Sequence, residues 1–139
     1  MIDAKFRRLA RVGVVGIAVL GMFASGPAAA AHPRHDRDRH RLVAVRGHCS
    51  GESVWRLVLV QHGPKITVGF SVRSGVAGEV WRVRMAHGHF VFFADLVETN
   101  DHGSFGIRRP TRNTPGLDFY RAGARNLETG ETCLARSAI

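Results

Sequence analysis

Apolar and polar residues alternate with a period of two over most of the chain beyond residue 41. The clearest stretch is 65–73, where Ile66, Val68, Phe70 and Val72 alternate with polar or small residues. Successive side chains of a β-strand point to opposite faces of a sheet, so this pattern predicts a strand with one buried and one solvated face. No segment past the N-terminal apolar run has helical periodicity.

Residues 80–97 are predicted to form the central hairpin of the domain. Trp81 falls on one face of its first strand, whereas Arg82 and Arg84 fall on the other, and His87-Gly88 supplies a turn. The return strand is apolar on both faces, with Phe90, Phe92 and Leu96 on one face and Val91, Phe93 and Val97 on the other. We therefore expect it to be central in a sandwich, or covered on its second side.

The same pattern predicts about seven or eight short strands, bounded by glycine, proline and asparagine. They lie at 42–49, 54–60, 65–73, 80–86, 89–98, 104–108, 117–126 and 132–136. Residues 109–116 contain two prolines and cannot form a central strand. Regular short strands of this kind predict an all-β antiparallel sandwich or small barrel. The expected core includes Trp55, Phe70, Trp81, Phe92 and Tyr120.

The N-terminal segment has the layout of a secretory signal peptide. Four basic residues precede an apolar run over 12–24, and small residues at 28–30 follow a Ser-Gly-Pro break. A membrane span needs about 20 apolar residues, so an uncleaved anchor is disfavoured. The predicted organisation is a signal helix over 1–30, a charged disordered linker over 31–41 and a sandwich domain over 42–137. We expect a secreted protein with no mature membrane anchor.

Two cysteines, Cys49 and Cys133, lie 84 residues apart. In an exported chain a disulfide is the usual state of a single cysteine pair. A disulfide that closes a loop of this length restricts the unfolded chain, and it would stabilise the folded state by about 4–5 kcal/mol at most. A free thiol pair and a metal site are the alternatives, but neither has neighbouring ligands in the sequence.

The chain is strongly basic, with 20 Lys and Arg against 11 Asp and Glu. Removal of residues 1–30 leaves 16 basic and 10 acidic residues, a net charge of +6. Such a charge favours salt-sensitive attraction to polyanions, for example wall polymers, acidic polysaccharides or shed nucleic acid. The candidate contacts are Arg82, Arg84, Arg108, Arg109 and Arg112. The alternative explanation is that the positive charge serves solubility and that codon bias favours arginine, since only Lys5 and Lys65 are lysine.

Residues suited to catalysis or metal binding do not form a recognisable motif. His87 and His89 flank the hairpin turn and are weak candidates for metal ligands. Asp101, His102 and Ser104 are the residue types of a catalytic triad, but adjacent positions in a chain do not form one. There is no nucleophile elbow, glycine-rich phosphate loop or HExxH motif. We therefore expect neither an enzyme nor a cofactor.

The segment 118–126, DFYRAGARN, followed by Gly130, resembles the F–G region of immunoglobulin-like and fibronectin type III domains. The resemblance implies that Tyr120 is the tyrosine-corner residue and Trp81 the core tryptophan. Phe70 and Ala122 would occupy the places of the two inter-sheet cysteines. The chain departs from the family pattern in lacking those cysteines, and we expect its own cysteine pair to join the first strand to the last, which lie near each other in such a sandwich. This architecture hosts many unrelated functions, so it implies no activity.

The whole chain also resembles small secreted actinobacterial proteins of unknown function with one cysteine pair. The predicted function is a monomeric extracellular recognition or structural module, contacting a protein or a cell-wall polymer without specific nucleic-acid readout. The alternatives are polyanion binding and a carrier for a small ligand or metal, with Phe90, Phe92 and Trp55 lining an apolar cleft. A contiguous exposed aromatic patch would favour binding, whereas complete burial would favour a plain scaffold.

Overall fold

Eight β-strands make up most of the chain that the computed structural model describes, residues 40–139. The predicted signal peptide lies outside these residues, and so does the predicted linker up to residue 39. The strands are β1 (Arg41–His48), β2 (Val54–His62), β3 (Lys65–Arg73), β4 (Val80–His87), β5 (Phe90–Glu98), β6 (Ser104–Arg112), β7 (Phe119–Asn126) and β8 (Thr132–Ala138). The first strand thus begins inside the segment that the sequence assigns to the linker.

The strands form two four-stranded antiparallel sheets, which confirms the predicted all-β sandwich. One sheet has the order β1-β2-β3-β6 and the other has the order β5-β4-β7-β8. The turn at 63–64 joins β2 to β3, and the turn at 88–89 joins β4 to β5. The period-two pattern placed these strands correctly because each has one face against the other sheet.

The two inner faces enclose one hydrophobic core. Trp81, Phe70, Leu57 and Tyr120 are almost completely buried, together with the other inward residues of β2, β3, β4 and β7. Phe105 of β6 lies between the sheets, with its ring centre 6.1 Å from that of Trp81 and 6.5 Å from that of Phe70. Burial of large aromatic side chains of this kind dominates the free energy of folding in small domains.

The expectation that the return strand is central or covered on both sides is wrong. β5 is an edge strand, and its side chains Phe90 and Leu96 are 72% and 53% exposed. The register between β4 and β5 shifts next to Met85, where one extra residue of β5 interrupts the alternation. Phe92 and Phe93 are consequently both half-buried and packed against the core. The bulge, which the alternation pattern does not reveal, changes the faces assigned to this strand.

β6 is longer than the sequence predicts and continues through Pro110 to Arg112. It is the edge strand next to β3, and Pro110 lies opposite Thr67 in the pairing. Proline has no N–H to donate to a neighbouring strand, so it is tolerated at an edge whose outer side is unpaired. The exclusion of this segment from a central position therefore agrees with the structure.

The predicted disulfide between Cys49 and Cys133 is present. It links the end of β1 to β8, which are edge strands on the same side of the two sheets. Next to it, the Glu131 carboxylate accepts hydrogen bonds from Gly51 N at 3.1 Å, Ser53 N at 2.9 Å and Ser53 Oγ at 2.8 Å. The sandwich is thus closed along this side by the disulfide and by several hydrogen bonds, which also include Ser50 N to the Thr132 carbonyl oxygen at 2.8 Å and Thr132 N to Ser50 Oγ at 2.9 Å.

The Tyr120 hydroxyl connects the two sheets by a route that differs from a tyrosine corner. It lies 2.7 Å from Thr111 Oγ1, which in turn donates to the Ile66 carbonyl oxygen at 3.1 Å. Since the only hydroxyl hydrogen of Thr111 points to that carbonyl, Tyr120 is the donor in the first bond. A tyrosine corner bonds directly to backbone, whereas here a threonine side chain stands between.

Replacing Cys49 and Cys133 together by alanine should lower the free energy of unfolding by about 3–5 kcal/mol, because the unfolded chain regains a long open loop. Denaturant titration of both proteins, with and without reductant, measures this difference. Reductant should destabilise the native protein and leave the double variant unchanged. Equal stability of the two oxidised proteins would contradict a stabilising role for the bridge.

Candidate functional site

The five arginines expected to contact a polyanion lie in three separate places. Arg82 and Arg84 project from the outer face of the β5-β4-β7-β8 sheet, and Arg108 and Arg112 project from the outer face of the other sheet. Arg109 lies at the seam between the sheets, with its guanidinium carbon 4.9 Å from the centre of the Phe93 ring. The structure does not bring these five residues into one stripe.

Basic residues nevertheless form directly opposed pairs on neighbouring strands. In residues 40–139 there are four such pairs: Arg46 with Arg56, Lys65 with Arg112, Arg82 with Arg125, and Arg121 with Arg136. Like charges at opposed positions of a sheet are destabilising. Among residues 40–139, only His87 and Asp118 come within salt-bridge distance. The positive charge of both outer faces is therefore not neutralised by carboxylates of the described chain.

Most carboxylates instead gather at one end of the sandwich, where the β1–β2, β3–β4, β5–β6 and β7–β8 connections lie. We call this the acidic end, and its carboxylates are Glu52, Glu79, Glu98, Asp101, Glu128 and Glu131. Glu79 is buried and accepts hydrogen bonds from Asn126 Nδ2 at 2.8 Å and Trp81 Nε1 at 3.4 Å. Glu79 and Glu131 thus hold the loops and are not available to pair with the arginines.

The outer face of the β1-β2-β3-β6 sheet carries a groove with arginine walls. Two adjoining depressions, of about 720 and 870 Å³, share Arg56, Ser71 and Gly106 in their lining, which contains no carboxylate. We call this surface the arginine groove. Its defining residues are Arg46, Arg56, Gly69, Ser71, Arg73, Gly106 and Arg108.

Part of the floor of the arginine groove consists of residues with little or no side chain, and the apolar residues Leu42, Val58 and Val60 also line it. Gly69 and Gly106 lie in strands and do not have a positive φ. A Cβ added at either position would come no closer than 3.8 Å (Gly69) or 3.9 Å (Gly106) to its neighbours, so crowding does not require glycine there. Glycine inside a strand lowers stability and often marks a place where another molecule approaches the backbone closely. In the described structure, neither the backbone conformation nor the neighbouring atoms require glycine at these two positions.

A second depression, the end cleft, lies at the end opposite the acidic end. It has a volume of about 460 Å³ and is lined by Lys65, His87, Phe90, Phe92, Pro110, Thr111 and Arg112. Phe90 and Phe92 are two of the three residues considered for an apolar cleft. The third, Trp55, lies elsewhere: its indole covers Gly47, and its Nε1 donates to the His48 carbonyl oxygen at 3.0 Å.

His87 is held in the end cleft by a buried carboxylate. Its Nε2 lies 2.6 Å from Asp118 Oδ1, and its ring stacks on Tyr120 with centres 4.6 Å apart. Asp118 also accepts hydrogen bonds from the Thr114 hydroxyl and, at 3.0 Å, from the Thr114 amide. Burial acts to raise the pKa of Asp118, but the bonds from Thr114 and His87 outweigh it and leave the pKa below its usual value. Asp118 is therefore ionised at neutral pH.

The other residues considered for chemistry are not brought together. His89 is exposed, and His87 is engaged by Asp118. Within residues 40–139, no group of three or more His, Cys, Asp or Glu side chains is placed to hold a metal ion. Ser104 Oγ donates to the Asn100 side chain at 3.1 Å, and the His102 amide does so at 3.0 Å, so these residues shape a loop.

Sequence reasoning missed Arg46, Arg56 and Arg73 of the groove, and the His87–Asp118 pair. These arginines do occupy polar positions in strands with an alternating pattern, and that alternation indicates that they face solvent. Their convergence depends on β6 lying beside β3, a pairing between strands that are not consecutive in the chain. Asp118 and His87 are 31 residues apart, and the β4–β7 pairing brings them together.

Comparison of the chain with protein-family models, with curated proteins and with solved structures gives no significant match. Over residues 40–139, no helix has the length and hydrophobicity required to span a membrane.

Replacing Asp118 by asparagine should lower stability at neutral pH by about 1–3 kcal/mol, because a buried, multiply hydrogen-bonded acceptor is lost. The folded pKa of Asp118 is below its unfolded value of about 3.9, so its contribution is complete above that pH and is lost as pH falls through the folded pKa. The difference between the two proteins should therefore shrink in acid. Denaturant titrations from neutral pH to strong acid measure this convergence.

The matched control is Asp101→Asn, which removes an exposed carboxylate from the acidic end. This variant should keep its stability within about 0.5 kcal/mol of the native value across the range. A constant deficit of Asp118→Asn at every pH would contradict the role assigned to its ionisation.

Proposed function

We propose that this protein is a secreted, non-catalytic recognition module that binds an acidic polymer in the arginine groove. The observation that carries the proposal is a groove with four exposed arginines, a glycine-containing floor and no carboxylate in its lining. The disulfide supports an oxidising extracellular location. We also propose an immunoglobulin-like or fibronectin type III-like architecture within the class of small secreted bacterial proteins with one cysteine pair.

Charge supports a polyanionic ligand over a neutral one. Arg46 and Arg56 face each other across β1 and β2, and Arg73 and Arg108 lie on β3 and β6. Each guanidinium has hydrogen-bond donors in a planar fork that suits sulfate, phosphate and carboxylate groups. A bound anion would relieve the repulsion between the opposed arginines, so the ligand would stabilise the sheet as well as occupy the groove.

The shape of the groove supports a single extended chain. β2 and β6 are separated only by β3, so the lines of their side chains are about 10 Å apart. Between them lie Gly69 and Ser71, which leave the backbone open to a ligand. A row of regularly spaced anionic groups fits such a strip better than one compact anion does.

The groove lining favours an acidic polysaccharide or polyol phosphate over single-stranded nucleic acid. Proteins that bind single strands stack the bases on exposed aromatic side chains. The aromatic rings in the groove lining do not offer such a platform: Phe70 and Phe105 are buried, and Trp55 is half-buried. The shared chemistry of the ligand is therefore a chain of repeating anionic groups that needs no base stacking.

Heparin and poly(glycerol phosphate) should bind the mature protein with an affinity that falls steeply with salt. With four arginines engaged, the slope of log K against log salt should be about −3. Arg46→Gln/Arg56→Gln should weaken binding and reduce the magnitude of this slope by about 1–2. Titration calorimetry at several salt concentrations provides both values, and poly(dT) serves as the nucleic-acid comparison.

The matched control is Arg82→Gln/Arg125→Gln, which removes an opposed arginine pair and the same net charge from the opposite face. Binding should be nearly unchanged in this variant. Equal weakening by both variants would show attraction by net charge alone, and weakening by the control only would move the site to the other sheet. Tighter binding of poly(dT) than of the two base-free polymers would contradict the ligand class.

Gly69→Ala/Gly106→Ala should raise the free energy of unfolding by about 1–2 kcal/mol, because alanine loses less conformational freedom on folding and both sites have room for a methyl group. The same variant should bind heparin more weakly, since the methyl groups narrow the floor. Denaturant titration and calorimetry measure the two effects. Higher stability with unchanged affinity would show that the polymer does not contact the floor.

A further inference from the structure

The end cleft is a second site that the polymer proposal does not use. It opens between β5 and β6, at the edge of the sandwich away from the disulfide. Its volume of about 460 Å³ lies within the range of sites for small molecules. The bulge in β5 contributes to this opening. It turns the Phe92 side chain towards the core, and it leaves Phe90 at the exposed end of the strand.

The walls of the end cleft are apolar and largely aromatic. Phe90 lines the cleft and is 72% exposed, so its ring is accessible to a ligand. Phe92 is half-buried behind it and contacts Tyr120 edge-on, with ring centres 6.4 Å apart. Pro110 forms the opposite wall. A flat ring inserted between these walls would bury apolar surface against two aromatic side chains.

The charged groups at the rim of the cleft suit an anion. Lys65 and Arg112 are directly opposed on β3 and β6 and lie at its rim. The carboxylate nearest the lining, that of Asp118, is fully shielded from solvent behind His87. An anionic group at the rim would therefore meet two cations and no exposed carboxylate of the cleft lining.

His87 adds a directed polar group between the apolar walls and the cationic rim. Asp118 accepts a hydrogen bond from its Nε2–H, so Nδ1 of the neutral ring carries a lone pair and can accept a hydrogen bond from a ligand. Within residues 40–139, Nδ1 has no hydrogen-bond partner in the protein. Every buried side-chain nitrogen or oxygen of that region does have a partner, so Nδ1 must be in contact with solvent. The stacking on Tyr120 and the bond to Asp118 fix the direction of this nitrogen.

We propose that the end cleft binds a small aromatic carboxylate. The ring lies between Phe90 and Pro110, and the carboxylate lies near Lys65 and Arg112. This site is separate from the arginine groove defined above, so either can exist without the other.

The test is a titration of the ¹⁵N-labelled mature protein with 2-naphthoate, followed by amide chemical shifts. Saturable shifts should concentrate in residues 87–92 and 111–112. Phe90→Ala should raise the Kd by about fivefold, and the neutral analogue naphthalene-2-methanol should bind about tenfold more weakly than 2-naphthoate. Lys65→Gln/Arg112→Gln should remove this preference for the anion.

The matched control is Phe119→Ala, which removes another exposed phenylalanine, 61% exposed, that does not line the cleft. This variant should bind 2-naphthoate like the native protein. Absence of saturable shifts at millimolar ligand, equal loss of affinity in both phenylalanine variants, or equal binding of the neutral analogue would each overturn the proposal. Because Phe90 is exposed, its replacement leaves the core intact, and the amide spectrum of the free variant verifies this.

Discussion

The structure depends on burying one face of every strand in a single interior between two sheets. Trp81, Phe70 and Leu57 lie in this interior and have no contact with solvent or almost none. The inward-facing side chains supply the apolar burial that folding needs. The outward-facing side chains of the inner strands therefore do not have to be apolar. This division explains how the outer faces can be lined with arginine in a domain of about 100 residues without loss of the core.

The arrangement of the arginines is unfavourable for stability, and that is why it is informative. Four opposed cation pairs without carboxylate partners in the described chain cost on the order of 1–2 kcal/mol together. The disulfide contributes about 4–5 kcal/mol at most, which is larger than this repulsion. Codon bias would account for arginine in place of lysine. It does not explain why carboxylates occupy the acidic end and leave the opposed positions to cations.

The sequence was sufficient for features that depend on local pattern and insufficient for those that depend on strand order. The strand positions and the sandwich follow from alternation and turn residues, and the disulfide follows from the expectation of an exported chain with a single cysteine pair. The edge position of β5 does not, because one bulged residue at Phe92 is invisible to a period-two count. Nor does the arginine groove, since Arg56 and Arg108 share a face only through the pairing of β3 with β6. The His87–Asp118 contact likewise requires β4 to pair with β7.

The two candidate sites adjoin the same row of residues, and this constrains how they could work together. Lys65 and Arg112 form the rim of the end cleft and also belong to the outer face that carries the arginine groove. A polymer that extended beyond Arg108 along β6 would approach this rim and compete with a small anion for the same cations. A polymer confined between Arg46 and Arg108 would leave the rim free. The length of polymer bound therefore decides whether the two ligands exclude each other, since a polymer reaches Lys65 and Arg112 only if it extends past the arginine groove.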